Sequence, residues 1–388
     1  MIVLEFKART KPSQSSAIDE AIRTANFVRN KALRYWMDNE KVGKYDLNKL
    51  CKDLAEEFPF AKKLNSMARQ ASAERAWSSI SRFYDNCKKK IKGKKGFPKF
   101  KKKARSVEYK TSGWKLLGPK RIKFTDGFDI GDLRLIGTYD LTFYNKDQIK
   151  RVRLVKRADG YYVQFCIQAD STVESEPTHD MVGIDLGIKY FYATSSGEFV
   201  ESPKFYRKAE EQLNRANRKK SKKFRKGTKL QSNNYRKARK RYALKHLRVS
   251  RQRVEWLKEK ALRLVQSNDL IAYEDLNVKG LVKNRKLAKS ISDAGWSTFR
   301  KWLEYFAGKH GKIAVAVSPK YTSQECSNCG STVKKALSVR THQCPHCGFV
   351  ADRDVNAAIN ILNRGLDQIG RGTSESKLGE IEPLVKLE

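Results

Sequence analysis

Three acidic stretches and one set of paired cysteines hold the residues of this chain that could do chemistry. Asp185 lies between Gly183 and Gly187 in an apolar, strand-like run from Val182 to Thr194. Glu274 and Asp275 close a second apolar run, Leu270 to Tyr273. Asp352 and Asp354 fall in the first turn of a helix expected over Ala351 to Leu362, and Ala357 and Ala358 would let that helix approach a sheet closely. Carboxylates can hold Mg²⁺, which prefers oxygen ligands and keeps several waters. Two such ions roughly 4 Å apart activate a water and steady the leaving oxygen in phosphodiester cleavage. Each acid alone has a plainer role: a turn residue for Asp185, a helix cap for Glu274, a partner of the helix dipole for Asp354. Strand alternation sends Glu274 and Asp275 to opposite faces, so only one can easily meet Asp185.

The cysteines are more specific. Cys326-Ser-Asn-Cys329-Gly330 and Cys344-Pro-His-Cys347-Gly348 leave fourteen residues between Cys329 and Cys344. Two such knuckles aim four thiolates at one tetrahedral Zn²⁺, and each following glycine can adopt positive φ. Four cysteines complete a closed site, so one structural Zn²⁺ is expected, with His342 and His346 outside its ligand set. Seven cysteines, an odd number with four clustered, argue for metal rather than disulfides. Cys51 and Cys87 lie on apolar helical stripes and read as inert core thiols.

The elements that must position these groups are embedded in a very basic chain. Its 388 residues suggest two or three domains. The formal net charge of +40, from 82 Lys and Arg against 42 Asp and Glu, would repel itself without a polyanion. Nucleic acid is the partner this favours over an anionic membrane surface, because no apolar run nears 18 residues. The first residues, Met1 to Phe6, lack a signal-peptide layout. A cytoplasmic, nucleoid-associated protein is therefore expected.

Residues 2–8 alternate and predict a strand. Ile18, Ile22, Ala25, Ala32 and Trp36, then Leu47, Leu50, Leu54 and Phe58, then Ala73, Trp77, Ile80, Tyr84 and Cys87, form three helical stripes, the core of a small bundle. Lys88 to Arg105 holds eleven Lys and Arg and no acid, interleaved with Phe97, Pro98 and Phe100. Lysines there can hold phosphates while aromatic rings stack on bases, so Lys94, Lys95, Lys99 and Lys101 are candidate nucleic-acid contacts. The period then shifts to two: Ile122/Phe124, Leu133/Leu135, Val152/Leu154 and Val163/Phe165/Ile167 predict a small barrel or sandwich over roughly 107–170, with a hairpin at Ala158-Asp159-Gly160. The first strand could rejoin it, which would make the bundle an insertion. Residues 201–250 hold nineteen Lys and Arg against three Glu. They predict a helical hairpin able to clamp a duplex, with Arg218, Lys222, Lys223 and Arg225 as candidate contacts.

Taken together these pieces resemble the TnpB family of transposon-encoded RNA-guided DNA endonucleases, and by extension the compact type V CRISPR effectors. The matching residues are Gly183-Ile-Asp185-Leu-Gly187, Glu274-Asp275-Leu276, the two cysteine knuckles and Asp352-Arg-Asp354-Val-Asn-Ala-Ala. Asn26-Phe-Val-Arg-Asn30 and Phe97-Pro-Lys-Phe100 agree more loosely. The resemblance implies an α+β multidomain fold. An RNase H-like (RuvC) nuclease domain would span 181–320 and 349–365, with a zinc ribbon inserted at 321–348. A β-barrel wedge domain, 1–10 and 95–170, would carry an inserted helical recognition domain, 11–94. Residues 171–180 would be a linker and 366–388 a flexible tail. It further implies Asp185, Glu274 and Asp354 as catalytic ligands of two Mg²⁺ ions, preferring Glu274 to Asp275 and Asp354 to Asp352. The implied partners are a guide RNA from the transposon end and double-stranded target DNA bearing a short flanking motif, with one chain bound to its RNA.

Two other functions compete. One is an RNA-guided DNA-binding repressor without cleavage, whose known kind lacks the acids present here. The other is a zinc-ribbon nucleic-acid-binding protein whose acids are structural. A transposase proper would need a His-hydrophobe-His motif with a nucleophilic Tyr, which is not found.

Overall fold

The computed structural model describes residues 1–370 except 92, 171, 229 and 337. The expected tail therefore lies outside the described residues from 371 onward. The chain divides into two compact units, Met1–Ser171 and Thr172–Glu388.

The first unit opens with strand β1 (Ile2–Arg9) and four helices: α1 (Pro12–Asp38), α2 (Lys44–Glu57), α3 (Pro59–Lys62) and α4 (Ser66–Lys88). Six strands follow: β2 (Ser106–Tyr109), β3 (Trp114–Gly118), β4 (Arg121–Phe124), β5 (Asp132–Ile136), β6 (Ile149–Arg157) and β7 (Gly160–Ile167). All seven strands form one antiparallel sheet in the order β2-β6-β7-β1-β5-β4-β3. β1 sits in its middle, paired with β7 from Ile2↔Ile167 to Ala8↔Tyr161 and with β5 on its other edge. The helices are thus inserted after the central strand of a sheet that closes only later in the chain. Phe6, Trp114 and Phe165 fill the sheet's core, with Phe6 edge-on to Phe165. β2 and β3 lie outside the strands that alternation predicts, although Trp114 is fully buried.

Val28, Ala32, Leu33, Leu47, Leu54, Ala73, Ala76 and Ile80 form the helical core. Cys51 belongs to it, and burial pushes its thiol up to about 11. Cys87 does not: it is exposed near the end of α4, so it is not a core thiol. The α4 stripe leaves the core after Ile80, and Tyr84 is 42% exposed.

The second unit contains β8 (Met181–Leu186), β9 (Tyr190–Thr194), β10 (Phe199–Glu201), α5 (Phe205–Ser221), α6 (Asn233–Ser267), β11 (Leu270–Glu274), α7 (Val278–Leu281), α8 (Ala288–Ala294) and α9 (Trp296–Lys309). β12 (Ile313–Val317), β13 (Thr341–Gln343), β14 (Val350–Asp352) and α10 (Arg353–Gln368) complete it. Its sheet has the order β10-β9-β8-β11-β12, antiparallel from β10 to β8 and parallel from β8 to β12. Alternation gives this sheet two apolar faces. Val182, Ile184, Leu186, Ile271 and Tyr273 pack toward α6 and α9, where Leu257, Phe299 and Leu303 are buried. Met181, Leu270, Ala272, Val315 and Val317 pack with Ile361, Leu362 and Leu366 of α10.

Residues just before β8 are tied to this unit. Thr178 and His179 donate backbone N–H groups to Asp269, which also pairs with Lys312. α10 runs to Gln368, three residues into the segment expected to be tail. The long hairpin α5/α6 is fixed at its root by buried Asp293, which accepts from the Tyr206 and Arg207 amides and so caps α5 in trans. Nothing in the local sequence of α5 announces that cap.

Candidate functional site

Parity and register bring the first two acids together. Gly183 and Asp185 share one face of β8, and Ala272 and Glu274 share the corresponding face of β11. The parallel register pairs Ala272 with Gly183 and Tyr273 with Ile184, so its next step sets Glu274 beside Asp185. Both carboxylates leave the carboxyl ends of neighbouring parallel strands, where ligands collect in open α/β sheets.

Helix α10 crosses this face at Gly183. A Cβ there would overlap the Ala358 carbonyl oxygen and come 2.7 Å from Leu362 N. Gly365 permits a second close approach, since its Cβ would come 2.6 Å from Ala272 Cβ. Ala357 and Ala358 are fully buried in the same contact. The crossing carries the start of α10, with Asp354, toward the strand ends.

The electrostatics register that convergence. Burial raises Asp185 well above the usual carboxylate range, and the charges of Glu274, then Asp354, raise it further; Arg353 opposes this, and Asp352 adds a smaller push. Burial also raises Glu274, against the Thr322 hydroxyl and Arg364. Hard oxygen donors whose charges converge on Asp185 suit a divalent cation such as Mg²⁺, which would favour its ionised form.

Thr322, 4% exposed, donates its hydroxyl to Glu274 Oε1 at 2.6 Å. Asp275 points the other way, is exposed, and pairs with Arg300 at 2.8 Å. Asp352 ends β14 and caps α10, accepting from the Asp354 amide at 2.8 Å, so it precedes the helix instead of lying in its first turn. Asp354 pairs with Arg353 at 2.9 Å and Arg340 at 3.4 Å.

The Sγ atoms of Cys326, Cys329, Cys344 and Cys347 lie within 4.8 Å of one another, with Cys326–Cys347 at 3.7 Å and Cys329–Cys344 at 3.6 Å. A tetrahedron with Zn–S of about 2.3 Å has S···S edges of about 3.8 Å, so the set fits Zn²⁺. Gly330 and Gly348 take φ of 74° and 73° in the two knuckle turns. The Ser331 hydroxyl heads the contacts that draw Cys329 down to about 6, and Asn328 lowers Cys347, while burial pushes Cys326 up to about 11. His342 is buried and His346 exposed, both outside the cluster. The ribbon is stitched to α10: Asn356 accepts from the Ser327 amide and donates to the Glu325 carbonyl, and Asn360 donates to the carbonyls of Thr322 and Glu325. Asn356 enters the sequence reading only as part of the Asp352–Ala358 motif, and Asn360 and Thr322 do not enter it, because each acts on groups distant in the chain.

The basic hairpin forms a groove of about 680 Å³ between α5 and α6. Arg215, Lys219 and Lys223 line one wall and Lys237, Arg241 and Lys245 the other, each row at i,i+4 spacing. Of the hairpin cations expected from sequence, only Lys223 lines the groove; Arg218, Lys222 and Arg225 are exposed outside its lining. Helical phase, which composition alone ignores, would have found the others. In the first unit Lys94, Lys99 and Lys101 are exposed and Lys95 is half-buried.

Family comparison covers the same regions. Residues 164–285, which carry Asp185 and Glu274, match the model described as "Probable transposase", and 296–361, which carry the four cysteines and Asp354, match "Cas12f1-like, TNB domain". The chain is 27% identical over 385 residues to InsQ of Escherichia coli K12, a protein named "Putative RNA-guided DNA endonuclease", covering 93% of this chain and 91% of that one. The chain belongs to the TnpB family. A Streptomyces pristinaespiralis protein with the same descriptive name is 39% identical over 212 residues, and this TnpB-family chain spans 51% of its length. The mimivirus TnpB-like protein L79 is 32% identical over 127 residues, 31% of this chain and 24% of that one. A Cas12f1 chain, solved with sgRNA and target DNA, shares the mixed α+β fold with a TM-score of 0.57 at 14% identity, over 91% of this chain and 83% of its own. A mini-RNA-guided endonuclease, Cas-phi3, gives 0.51 at 11% identity, over 93% and 91%. Among the described residues no helix is long and apolar enough to cross a membrane.

Proposed function

We propose that this TnpB-family chain is an RNA-guided, Mg²⁺-dependent DNA endonuclease that cuts double-stranded target DNA beside a short flanking motif. The observation that carries the reading is the convergence of Glu274, beside Asp185 in the β8–β11 register, and of Asp354 at the start of α10 on Asp185, whose carboxyl their charges push up beyond the effect of burial. The sheet order, third-second-first-fourth-fifth within its unit, supports an RNase H-like, RuvC-type assignment. The names of the E. coli and Streptomyces relatives and the nucleic acids in the Cas12f1 complex support the substrate class.

Asp185, Glu274 and Asp354 would hold Mg²⁺. Bound there, the metal would supply an activated water and stabilise charge on the leaving oxygen. Thr322 favours the ionised form of Glu274 against the effect of burial and orients its carboxylate. Arg340 and Arg353 hold Asp354 until a cation competes for it. The four cysteines would hold one structural Zn²⁺, which keeps the ribbon against α10. In the first unit, 1–10 with 95–170 would serve as wedge and 11–94 as recognition module. The α5/α6 groove, lined by Lys223, would follow a nucleic-acid backbone together with the exposed Arg218, Lys222 and Arg225 of the same hairpin, and Lys94, Lys95, Lys99 and Lys101 would do so in the first unit. One chain with one guide RNA is the assembly we propose.

The test is to express the protein with its flanking genomic DNA, sequence co-purified RNA, and challenge the complex with a matched target carrying a randomised flank. A discrete RNA with Mg²⁺-dependent cutting, lost with EDTA and in Asp185→Ala, is expected. RNA-directed binding without cutting would replace endonuclease by repressor, and no discrete RNA would overturn guidance.

A further inference from the structure

The lysine-rich segment after α4 is not a loose tether. Asn30 clamps the Lys101 backbone from both sides, accepting from its N–H at 3.0 Å and donating to its carbonyl at 3.0 Å. Asn26 donates to the same carbonyl at 2.8 Å, and Arg29 donates to the Lys99 carbonyl at 3.3 Å. Three α1 side chains within one helical turn, at i, i+3 and i+4, therefore pin a strap whose Lys99, Phe100 and Lys101 side chains remain exposed.

The pinning gathers positive charge that no carboxylate pairs directly: Glu108 raises Arg75 only through its charge, while its oxygens are paired with Arg151 and Arg153. Arg29 is only 7% exposed, and among the described residues neither it, Arg75 nor Lys101 makes an ion pair with a carboxylate. Arg75 spends its guanidinium on Ser106, at 2.9 Å to the hydroxyl and 3.3 Å to the carbonyl. The nearby acids are already claimed: Glu108 by Arg151 and Arg153, Glu74 by Lys44, Lys110 and Arg151. Burial and then the Arg75 charge lower Arg29, while burial, then Arg29, then Arg75 lower Lys101. Evolving such a cluster costs free-protein stability, which an anionic ligand would offset.

We propose that Arg29, Arg75 and Lys101 form a binding site for a backbone phosphate of a nucleic-acid strand, beside the strap that Asn26 and Asn30 pin to α1. This rests on the reading of the chain as a nucleic-acid-binding protein and assigns one phosphodiester to one place on it. A phosphate there completes the cluster's missing charge, fixes register along the strand and carries no sequence information.

The experiment measures binding of the full chain to a labelled structured RNA and to a DNA duplex over a series of salt concentrations. Lys101→Gln leaves the backbone clamp intact, because Asn26 and Asn30 hold main-chain atoms. It should weaken binding equally for every sequence of the bound nucleic acid and reduce the slope of log Kobs against log salt by about 1. It should also raise the Tm of the free protein, the opposite of what loss of a structural contact does. Arg75→Gln should reproduce the slope change. Lys49→Gln, the same charge change at an exposed, unpaired site on α2, should leave the slope unaltered. The arm that loses slope identifies the strand as RNA or DNA. A slope in Lys101→Gln and Arg75→Gln equal to wild type overturns the site. Wild-type protein that binds neither nucleic acid overturns the underlying reading instead.

Discussion

The Thr322 hydroxyl donates to Glu274 Oε1 at 2.6 Å, while the Thr322 carbonyl accepts from Asn360 of α10 at 2.9 Å. One residue on the approach to the zinc ribbon thus links a strand-end acid to the helix that carries Asp354. Thr322→Val should strip Glu274 of the Thr322 hydroxyl donor and raise a pKa that burial already lifts. Ionised Glu274 is then lost as pH falls from a higher starting point, so the acidic limb of the cleavage profile shifts to higher pH and half-maximal Mg²⁺ rises. Thr322→Ser should restore both. A pH profile and a Mg²⁺ titration check this, and unchanged profiles would reduce Thr322 to packing.

Asp185 has a raised folded pKa, so its share of stability is present below the unfolded carboxylate value and lost as pH rises through the folded one. Asp185→Asn should therefore raise Tm of the metal-free protein at pH 8. The gain should vanish near pH 4, where the native side chain is neutral as well. Each kcal/mol recovered corresponds to about 2–4 °C for a unit of this size. The same variant should lose any Mg²⁺-induced rise in Tm. Melting curves across pH, with and without Mg²⁺, decide the matter.

Glu274 and Asp275 separate by face. Asp275→Asn should retain cleavage within a few-fold, since its partner is Arg300 at the surface. Glu274→Gln should reduce cleavage by about 10²-fold or more, as loss of a charged group at the reacting centre does. Equal losses in the two variants would contradict the register of β8 and β11.

Gly183→Ala puts a methyl group into the Ala358 carbonyl of α10. Overpacking of this kind costs about 1–3 kcal/mol. The expected result is a lower Tm together with a cleavage loss larger than the fraction unfolded explains, because α10 can relieve the clash only by carrying Asp354 away. Denaturant titration alongside single-turnover cleavage separates the two effects.

Zinc removal should act at a distance. Metal analysis should find one Zn²⁺ per chain, and Cys344→Ser should abolish it and increase amide exchange in 318–331 and at the start of α10, where Asn356 and Asn360 hold the cysteine-bearing segment. Zinc affinity should rise with pH, more steeply below about 6, where Cys329 still holds a proton, and continue to rise above it because Cys326 keeps its proton up to about 11 without metal. Unaltered exchange in α10 after zinc loss would detach the ribbon from the acid site.

The sequence alone determined the local chemistry. Knuckle spacing and its glycines specify four converging thiolates because a Cys-x-x-Cys-Gly turn is a local geometry. Alternation along Leu270–Asp275 separates Glu274 from Asp275 for the same reason: strand parity is intrinsic to the backbone. Stripes such as Ile18, Ile22 and Ala25 mark a core-facing helix wherever the core lies. They fail at Cys87, because periodicity persists past the point where the partner helices end. Only the tertiary structure decided which parities share a face. The β8–β11 register is a long-range pairing, and a slip of one residue would have sent Glu274 to the α9 side. Likewise Gly183 reads as a flexible residue until α10 is seen to lie on it, and Asp352 reads as an equal of Asp354 until it caps the helix. Thr322, Asn356, Asn360, Asp293 and the clamp of Asn26 and Asn30 on Lys101 join segments far apart in sequence. Their hydrogen bonds exist only once packing has brought those segments within reach.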